Sequence, residues 1–232
     1  MREGQAAGVR VVCGCEFSTR AAWGELHVLG YFLDAGDVRL QAFLTATRAA
    51  RRRRGEEIVE KLERLGVPIA LADLERQAGC GAVGRPHVAR ALVERGVCAN
   101  VNEAFDRFIG RGRAAFVEKP LPELARVTEL VHDVGGLAVA AHLGEHGTEG
   151  QIRQFADEGL DGIEVRHPSH SPATEARLRR IADRLGLALS GGSDWHGDTK
   201  FGHSHAPLGG LEIPLEWLEQ LEARRTADKE TR

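Results

Sequence analysis

Short apolar runs alternate with helical patterns in the second half of the chain, and this alternation restricts the fold to the α/β class. Apolar runs at residues 137–141, 162–165 and 187–190 predict strands, and helical spacing predicts helices at 122–134, 149–158, 172–185 and 214–227. Residues 9–14 and 26–32 predict two earlier strands. Strands joined in this way run parallel, and functional side chains gather beyond their carboxyl ends.

The region between the second and third predicted strands contains only helical patterns. These patterns cover residues 38–65, 71–77, 86–94 and 101–109. We therefore predict an all-helical insertion over residues 36–112 and an α/β domain built from residues 1–35 and 113–232.

Composition narrows the class of protein. With 232 residues and 42% hydrophobic content the chain can bury a sizeable core. Its net charge of -3 argues against duplex nucleic acid or an anionic membrane as a partner. The four cysteines fit neither a zinc ribbon nor a disulfide framework, which favours a reducing, cytoplasmic location. No apolar run reaches the ~18 residues of a membrane span, and no signal peptide is predicted.

Five residues form a candidate metal-binding set. Asp194 and His196 stand two residues apart after an apolar run, and the other three residues lie at or beside strand-like segments: Glu16, His27 and His142. Carboxylates and imidazoles suit Zn²⁺, Mn²⁺ or Fe²⁺, and the lack of cysteine argues against a purely structural zinc. Ions bridged by one carboxylate can clamp a phosphoryl group, so phosphoester hydrolysis is the reaction class that this set favours.

Cationic and hydrogen-bonding residues elsewhere are candidates for contact with a phosphate: Arg85, His87, His167, His170 and Lys200. Arg85 and His87 serve equally well to begin a helix around Pro86. His167 and His170 flank a Pro-Ser turn, for which contact with the substrate is the favoured interpretation. His203 and His205 are more typical of a solvated loop than of a metal site.

Six ordered segments resemble the PHP (polymerase and histidinol phosphatase) family. The segments are Gly14–Ser18, Glu25–Tyr31, Gly84–Leu92, Ala141–His142, His167–Ser171 and Gly191–Gly197. The resemblance is nearest to small bacterial metal-dependent phosphoesterases that act on nucleotides and short RNA 5′ ends. It implies a distorted (β/α)7 barrel with a helical insertion and a trinuclear metal centre.

The same resemblance implies a role for each candidate ligand. Glu16 is the bridging carboxylate, and His27 and His142 complete the second metal site. Asp194 binds the first metal and His196 the third. The implied substrate is a small nucleotide or a short RNA or DNA. We expect no stable binding of duplex nucleic acid and no membrane partner.

The chain departs from the family pattern at its start. The Asp-Leu-His-x-His, Ser-Asp-Gly and Thr-Asp-His-Asp elements are not found ahead of Val9, and Leu143 follows His142 where the family usually has proline. The resemblance therefore implies an N-terminally truncated barrel that lacks the first two βα units. A misplaced start codon or a truncated gene is the simplest explanation, and a divergent or decayed protein is the alternative. We expect fewer than the family's three ions here, weak hydrolysis, and self-association through an exposed barrel edge. The alternative function is a catalytically impaired remnant that binds metal, phosphate or a protein partner.

Overall fold

A computed structural model describes residues 2–79, 81–196 and 206–231 of the chain. It divides into two compact units, of which the first joins Met1–Leu40 to Leu121–Arg232 and the second is Gln41–Pro120. The predicted insertion, 36–112, shares most of its length with the second unit, and its status as an insertion stays a prediction. Among the described residues, no helix combines the length and apolar composition that a membrane crossing requires.

The first unit contains a five-stranded sheet in the order β1-β2-β3-β4-β5. The strands are β1 (Gly14–Ala21), β2 (Gly24–Tyr31), β3 (Leu137–Ala140), β4 (Gly162–Arg166) and β5 (Ala188–Gly191). The helices of this unit are α1 (Arg2–Ala6), the start of α2 (Val38–Arg64), α6 (Leu124–Asp133), α7 (Glu149–Asp157), α8 (Pro172–Leu185) and α9 (Leu215–Thr231). The fold is therefore of the predicted α/β class.

The prediction of parallel strands is right for only part of the sheet. Strands β3, β4 and β5 run parallel, as expected, whereas β1 and β2 form an antiparallel hairpin and β2 pairs antiparallel with β3. The described strands form an open sheet, so the closed (β/α)7 barrel is not confirmed.

The hairpin also corrects the position of the first strand. We predict a strand at residues 9–14, but β1 begins at Gly14, and Val9 and Val11 are 59% and 43% exposed. Apolar side chains alone do not make a strand, because a strand needs a partner for its backbone groups. The partner is available only from Gly14 onward, where β2 folds back through a two-residue turn and Gly24 adopts a φ of 124°. Glu16 consequently lies within β1 and not after it.

Helix α8 shows why the second half of the chain is well predicted. Its Ser171 hydroxyl accepts the Thr174 N–H at the first turn, Pro172 occupies the first helical position, and Gly186 ends the helix with a left-handed φ of 66°. These are the usual signals for the start and end of a helix. They set the bounds of the helix that connects β4 to β5, and because these two strands are parallel, both end at the same edge of the sheet.

The second unit is helical. It contains the remainder of α2, α3 (Leu71–Ala78), α4 (Arg85–Glu94) and α5 (Val101–Ala104), which continues into a π-helical turn at Phe105–Ile109. Side chains such as Ile58, Leu62, Leu74 and Leu92 form its own buried core.

We expect Asp73 to support the second unit in acid. The Ala70 N–H, followed by the Arg95 and Arg76 guanidinium groups, holds the pKa of this buried carboxylate at about 2. Because the folded pKa lies below the unfolded value, the stabilisation is present above about pH 4 and is lost as the pH falls towards 2. Asp73→Ala should therefore lower the free energy of unfolding at pH 7 by about 1–3 kcal/mol.

Urea unfolding at pH 7, 4 and 2.5 measures this contribution. The control is Asp106→Ala, which removes an exposed carboxylate from the same unit. A loss of stability in Asp73→Ala that is the same at pH 7 and pH 2.5 would contradict the expectation.

We also expect self-association at the outer edge of the sheet. In the described sheet β1 is the edge strand, and the exposed Val9 and Val11 precede it in the chain. Exposed apolar residues beside an edge strand favour edge-to-edge pairing, which lysine opposes. Light scattering should detect oligomers of the parent chain and fewer oligomers of the double variant Val9→Lys with Val11→Lys. The control is Val38→Lys at the start of α2, where the valine is 78% exposed, and it should leave the amount of oligomer unchanged. A clean monomer in the parent chain would refute the idea.

Candidate metal centre

The β1–β2 hairpin brings Glu16 and His27 together. Ser18 lies opposite His27 in the register, so Glu16, two residues before Ser18, is the diagonal neighbour of His27 on the same face. The His27 Nδ1–H donates to Glu16 Oε1 over 2.6 Å. The contact follows from the register of the two strands of one hairpin.

His142 approaches the same carboxylate from the loop that follows β3. Its Nε2 lies 3.0 Å from His27 Nδ1 and 3.7 Å from Glu16 Oε1. The residue adopts a φ of 33°, which is unfavourable for a side chain other than glycine. Such strained conformations concentrate at functional sites. The prediction that Glu16, His27 and His142 lie together agrees with this geometry, although their role as ligands stays a prediction.

The protonation of this cluster reflects its close contacts. Hydrogen bonds from His142 and His27 hold the pKa of Glu16 well below its usual range. Burial of the His27 ring opposes its charge, but hydrogen bonds to Glu16 and Glu25 outweigh burial and raise the pKa of His27 to about 9. The hydrogen bond to Glu16 likewise raises the pKa of His142. The cluster therefore pairs a carboxylate with imidazolium, and a cation can replace the protons.

Glu25 is a residue of the site that sequence reasoning missed. Its Oε1 accepts the His27 Nε2–H over 2.9 Å, which leaves Nδ1 directed at Glu16. A carboxylate behind a histidine is the usual way to orient an imidazole that ligates a metal. The signal was present, because Glu25 and His27 are two residues apart and therefore lie on one face of a strand.

Glu164 is the second residue that was missed. It lies on β4, is only 4% exposed, and its Oε2 accepts the His142 main-chain N–H over 2.7 Å. Burial raises the pKa of Glu164 to about 7, and the charges of Asp194 and Glu16 add to the effect. The signal in the sequence was an acidic residue inside the apolar run Gly162–Val165, because a carboxylate is rarely buried unless it is paired.

Asp194 and His196 form a second group with Glu16. Donor atoms of Glu16, Asp194 and His196 all lie within 4.8 Å of one another, as do those of Glu16, His27 and His142. Asp194 follows the end of β5 and adopts a φ of 50°. Glu16 is common to both groups, as a bridging carboxylate requires. The assignment of Asp194 and His196 to different ions stays a prediction.

The two histidines of the turn after β4 are both buried near this centre. The His167 ring lies 5.5 Å from the His142 ring, and its Nε2 lies 3.5 Å from Asp194 Oδ2. The His170 ring lies 5.4 Å from that of His167. Burial lowers the pKa of both histidines, so they are neutral at pH 7.

Two of the other predicted phosphate contacts, Arg85 and His87, belong to the helical unit. Arg85 lies over the Phe105 and Phe116 rings at 5.6 and 5.4 Å, and His87 Nδ1 accepts the Gly84 N–H over 2.9 Å at the start of α4. These contacts lie within the helical unit, and contact with a substrate stays a prediction for both residues. Lys200, His203 and His205 lie outside the described residues.

The donor set fits divalent metal ions. Glu16 with two imidazoles, and Glu16 with a carboxylate and an imidazole, are the oxygen and nitrogen combinations found at catalytic Zn²⁺, Mn²⁺ and Fe²⁺ sites. Two such groups that share one carboxylate match a site in which two ions lie close together. The identity of the metal is not fixed by this set.

Comparison with known proteins agrees with this chemistry. A 5'-3' exoribonuclease of Haemophilus influenzae is 32% identical over 194 residues, covering 82% of this chain and 70% of the relative. A 3',5'-nucleoside bisphosphate phosphatase of Chromobacterium violaceum is 31% identical over 95% of this chain and 81% of its own length. No family model matches the chain.

A solved structure shows the same fold. A crystal structure described as a metal-dependent phosphoesterase from Bifidobacterium adolescentis superposes with a TM-score of 0.79 at 30% identity, over 96% of this chain and 79% of the other. The chain therefore belongs to the family of metal-dependent phosphoesterases that contains these proteins.

We expect Glu25 to strengthen metal binding through His27. Glu25→Ala removes the acceptor of the His27 Nε2–H, so the ring loses its fixed orientation and the affinity for Zn²⁺ or Mn²⁺ should fall about 10–100-fold. Competition with a chromophoric chelator measures this affinity. Glu123→Ala is the control, because Glu123 is a 70% exposed carboxylate that pairs with Arg20 of the same hairpin. Equal affinities in the two variants would contradict a role for Glu25.

Proposed function

We propose that this chain is a PHP-type phosphoesterase that hydrolyses phosphate esters of nucleotides or short oligonucleotides with the aid of divalent metal ions. The single observation that carries the proposal is the position of Glu16, whose carboxylate belongs to both candidate ligand groups. The similarity to an exoribonuclease and to a nucleoside bisphosphate phosphatase supports nucleotides as the substrate class.

Each residue of the cluster has a definite part in this proposal. Glu16, His27 and His142 would hold one cation, with His27 Nδ1 and His142 Nε2 as the ring atoms nearest to Glu16. Glu16, Asp194 and His196 would hold a second cation. Bound divalent ions supply Lewis-acid polarisation of the phosphoryl oxygens and a water of lowered pKa.

The remaining residues act on geometry and on the substrate. Glu25 orients His27, and Glu164 fixes the main chain of His142. His167 faces the cluster from the turn after β4. Arg85, His87 and Lys200 are proposed as further contacts of the phosphate. The proposal also includes a cytoplasmic location, Mn²⁺, Zn²⁺ or Fe²⁺ as the metal, and fewer than three bound ions.

A comparison of variants tests the function. The substrates are a 3',5'-nucleoside bisphosphate and a short 5′-phosphorylated RNA, assayed with Mn²⁺ and after treatment with EDTA. We expect release of phosphate or mononucleotide that EDTA abolishes. Glu16→Gln should lower the rate about 100-fold or more, because it weakens both ligand groups. Glu123→Gln is the control and should keep the parent rate.

The alternative function predicts a different outcome. A catalytically impaired remnant binds Mn²⁺ or Zn²⁺ in a manner that depends on Glu16, yet cleaves neither substrate. Elemental analysis of the purified protein beside the assay separates the two. Metal bound with no EDTA-sensitive cleavage would reject the enzymatic proposal and support the remnant.

A further inference from the structure

His167 and His170 occupy one turn and look equivalent in the sequence, but their hydrogen bonds differ. Both follow β4 in the segment His167-Pro168-Ser169-His170, and they are 7% and 8% exposed. A buried imidazole needs a partner for its N–H, since a buried polar group left without a hydrogen bond is destabilising. The partners therefore reveal what each ring is for.

His170 uses both ring nitrogens within the protein. The Gly144 N–H donates to His170 Nε2 over 3.1 Å, and His170 Nδ1–H donates to Val165 O over 2.8 Å. The ring thus joins the loop after β3 to the end of β4 through main-chain groups. No ring nitrogen of His170 is left to receive or bind a substrate.

His167 uses only one ring nitrogen. The Ser169 N–H donates to His167 Nδ1 over 3.1 Å, and the Ser169 hydroxyl lies 2.7 Å from the same nitrogen. A nitrogen that accepts an N–H has no proton of its own, so the proton of the neutral ring is on Nε2.

The Nε2–H of His167 is buried and has no hydrogen-bond partner among the described residues. Asp194 Oδ2, at 3.5 Å, is too distant for a normal hydrogen bond. His167 belongs to neither of the two ligand groups, so in this tautomer it presents a hydrogen-bond donor to the centre. An acceptor placed beside Asp194 and His142 would complete its hydrogen bonding.

We propose that the Nε2–H of His167 donates a hydrogen bond to a phosphoryl oxygen of the substrate, and that His170 has no such role. The inference rests on the proposed function for the nature of the acceptor, which is an anionic oxygen held next to the two ligand groups. Ser169 serves as the residue that fixes the tautomer of His167.

Nitrogen-15 NMR of the histidine rings in the metal-free chain tests the tautomer directly. His167 should show a protonated Nε2 and an unprotonated Nδ1, and His170 the reverse. This readout needs neither metal nor activity, so it can fail while the phosphoesterase function holds. An unprotonated Nε2 in His167 would overturn the proposal.

Inorganic phosphate is the probe for the donor role. Its dissociation constant is measured with the Mn²⁺-loaded chain, after metal content and thermal stability are recorded for each variant. His167→Leu should weaken phosphate binding about 10-fold while the metal content stays unchanged. His167→Gln should restore part of the affinity, because its amide N–H lies near the position of Nε2–H.

His170→Asn is the matched control. It keeps a donor for Val165 O and loses the acceptor for the Gly144 N–H, so thermal stability should fall while phosphate affinity in the folded protein stays at the parent value. Equal phosphate affinity in His167→Leu and the parent would overturn the proposal. Equal loss in the His167→Leu and His170→Asn variants would overturn it too.

Discussion

The contact between Glu16 and His27 across the β1–β2 hairpin is the interaction on which the candidate site depends. Glu16 belongs to both ligand groups, and its position relative to His27 is set by antiparallel register alone. A shift of register by one residue would turn every side chain of one strand to the opposite face. The buried alternation of Phe17 and Thr19 on β1 with Leu26 and Val28 on β2 prevents such a shift.

Two further candidate ligands, His142 and Asp194, lie in loops that follow parallel strands, and their backbones are strained. His142 and Asp194, which follow β3 and β5, both have positive φ, at a cost of order 1–3 kcal/mol each. Such conformations persist only where surrounding structure enforces them. For His142 the enforcing contact is the hydrogen bond from its N–H to Glu164, whose strand β4 lies between β3 and β5.

The sequence predicts helices well because their boundaries are local. Ser171, Pro172 and Gly186 mark the start and end of α8, and the structure has these bounds. It predicts the hairpin poorly because strand pairing is not local. The apolar residues Val9 and Val11 have strand-like composition, yet the backbone pairs with β2 only from Gly14 onward.

The candidate ligands show the same division between residue type and position. Their types indicate a metal site, and the grouping around Glu16 that the family resemblance implies agrees with the distances between their donor atoms. The functions of the neighbouring carboxylates can be assigned only from the three-dimensional structure. Glu25 and Glu164 have chemistry visible in the sequence, but the atoms they accept from, His27 Nε2–H and the His142 N–H, are determined by folding. His167 and His170 are indistinguishable until the hydrogen bonds of their ring nitrogens are known.

The charge balance of the centre explains how the same residues can be stable with and without a cation. Glu16, Glu25 and Glu164 place several carboxyl groups close together, which would repel one another if all were ionised and unpaired. Protons on His27 and His142 offset part of this charge, and burial keeps Glu164 protonated up to about pH 7. With His27 and His142 as the proposed ligands, a metal ion would displace the protons on both imidazoles, so binding would release protons and tighten as the pH rises. The proposed centre would therefore exchange protons for a metal ion while the hairpin that holds Glu16 keeps its register.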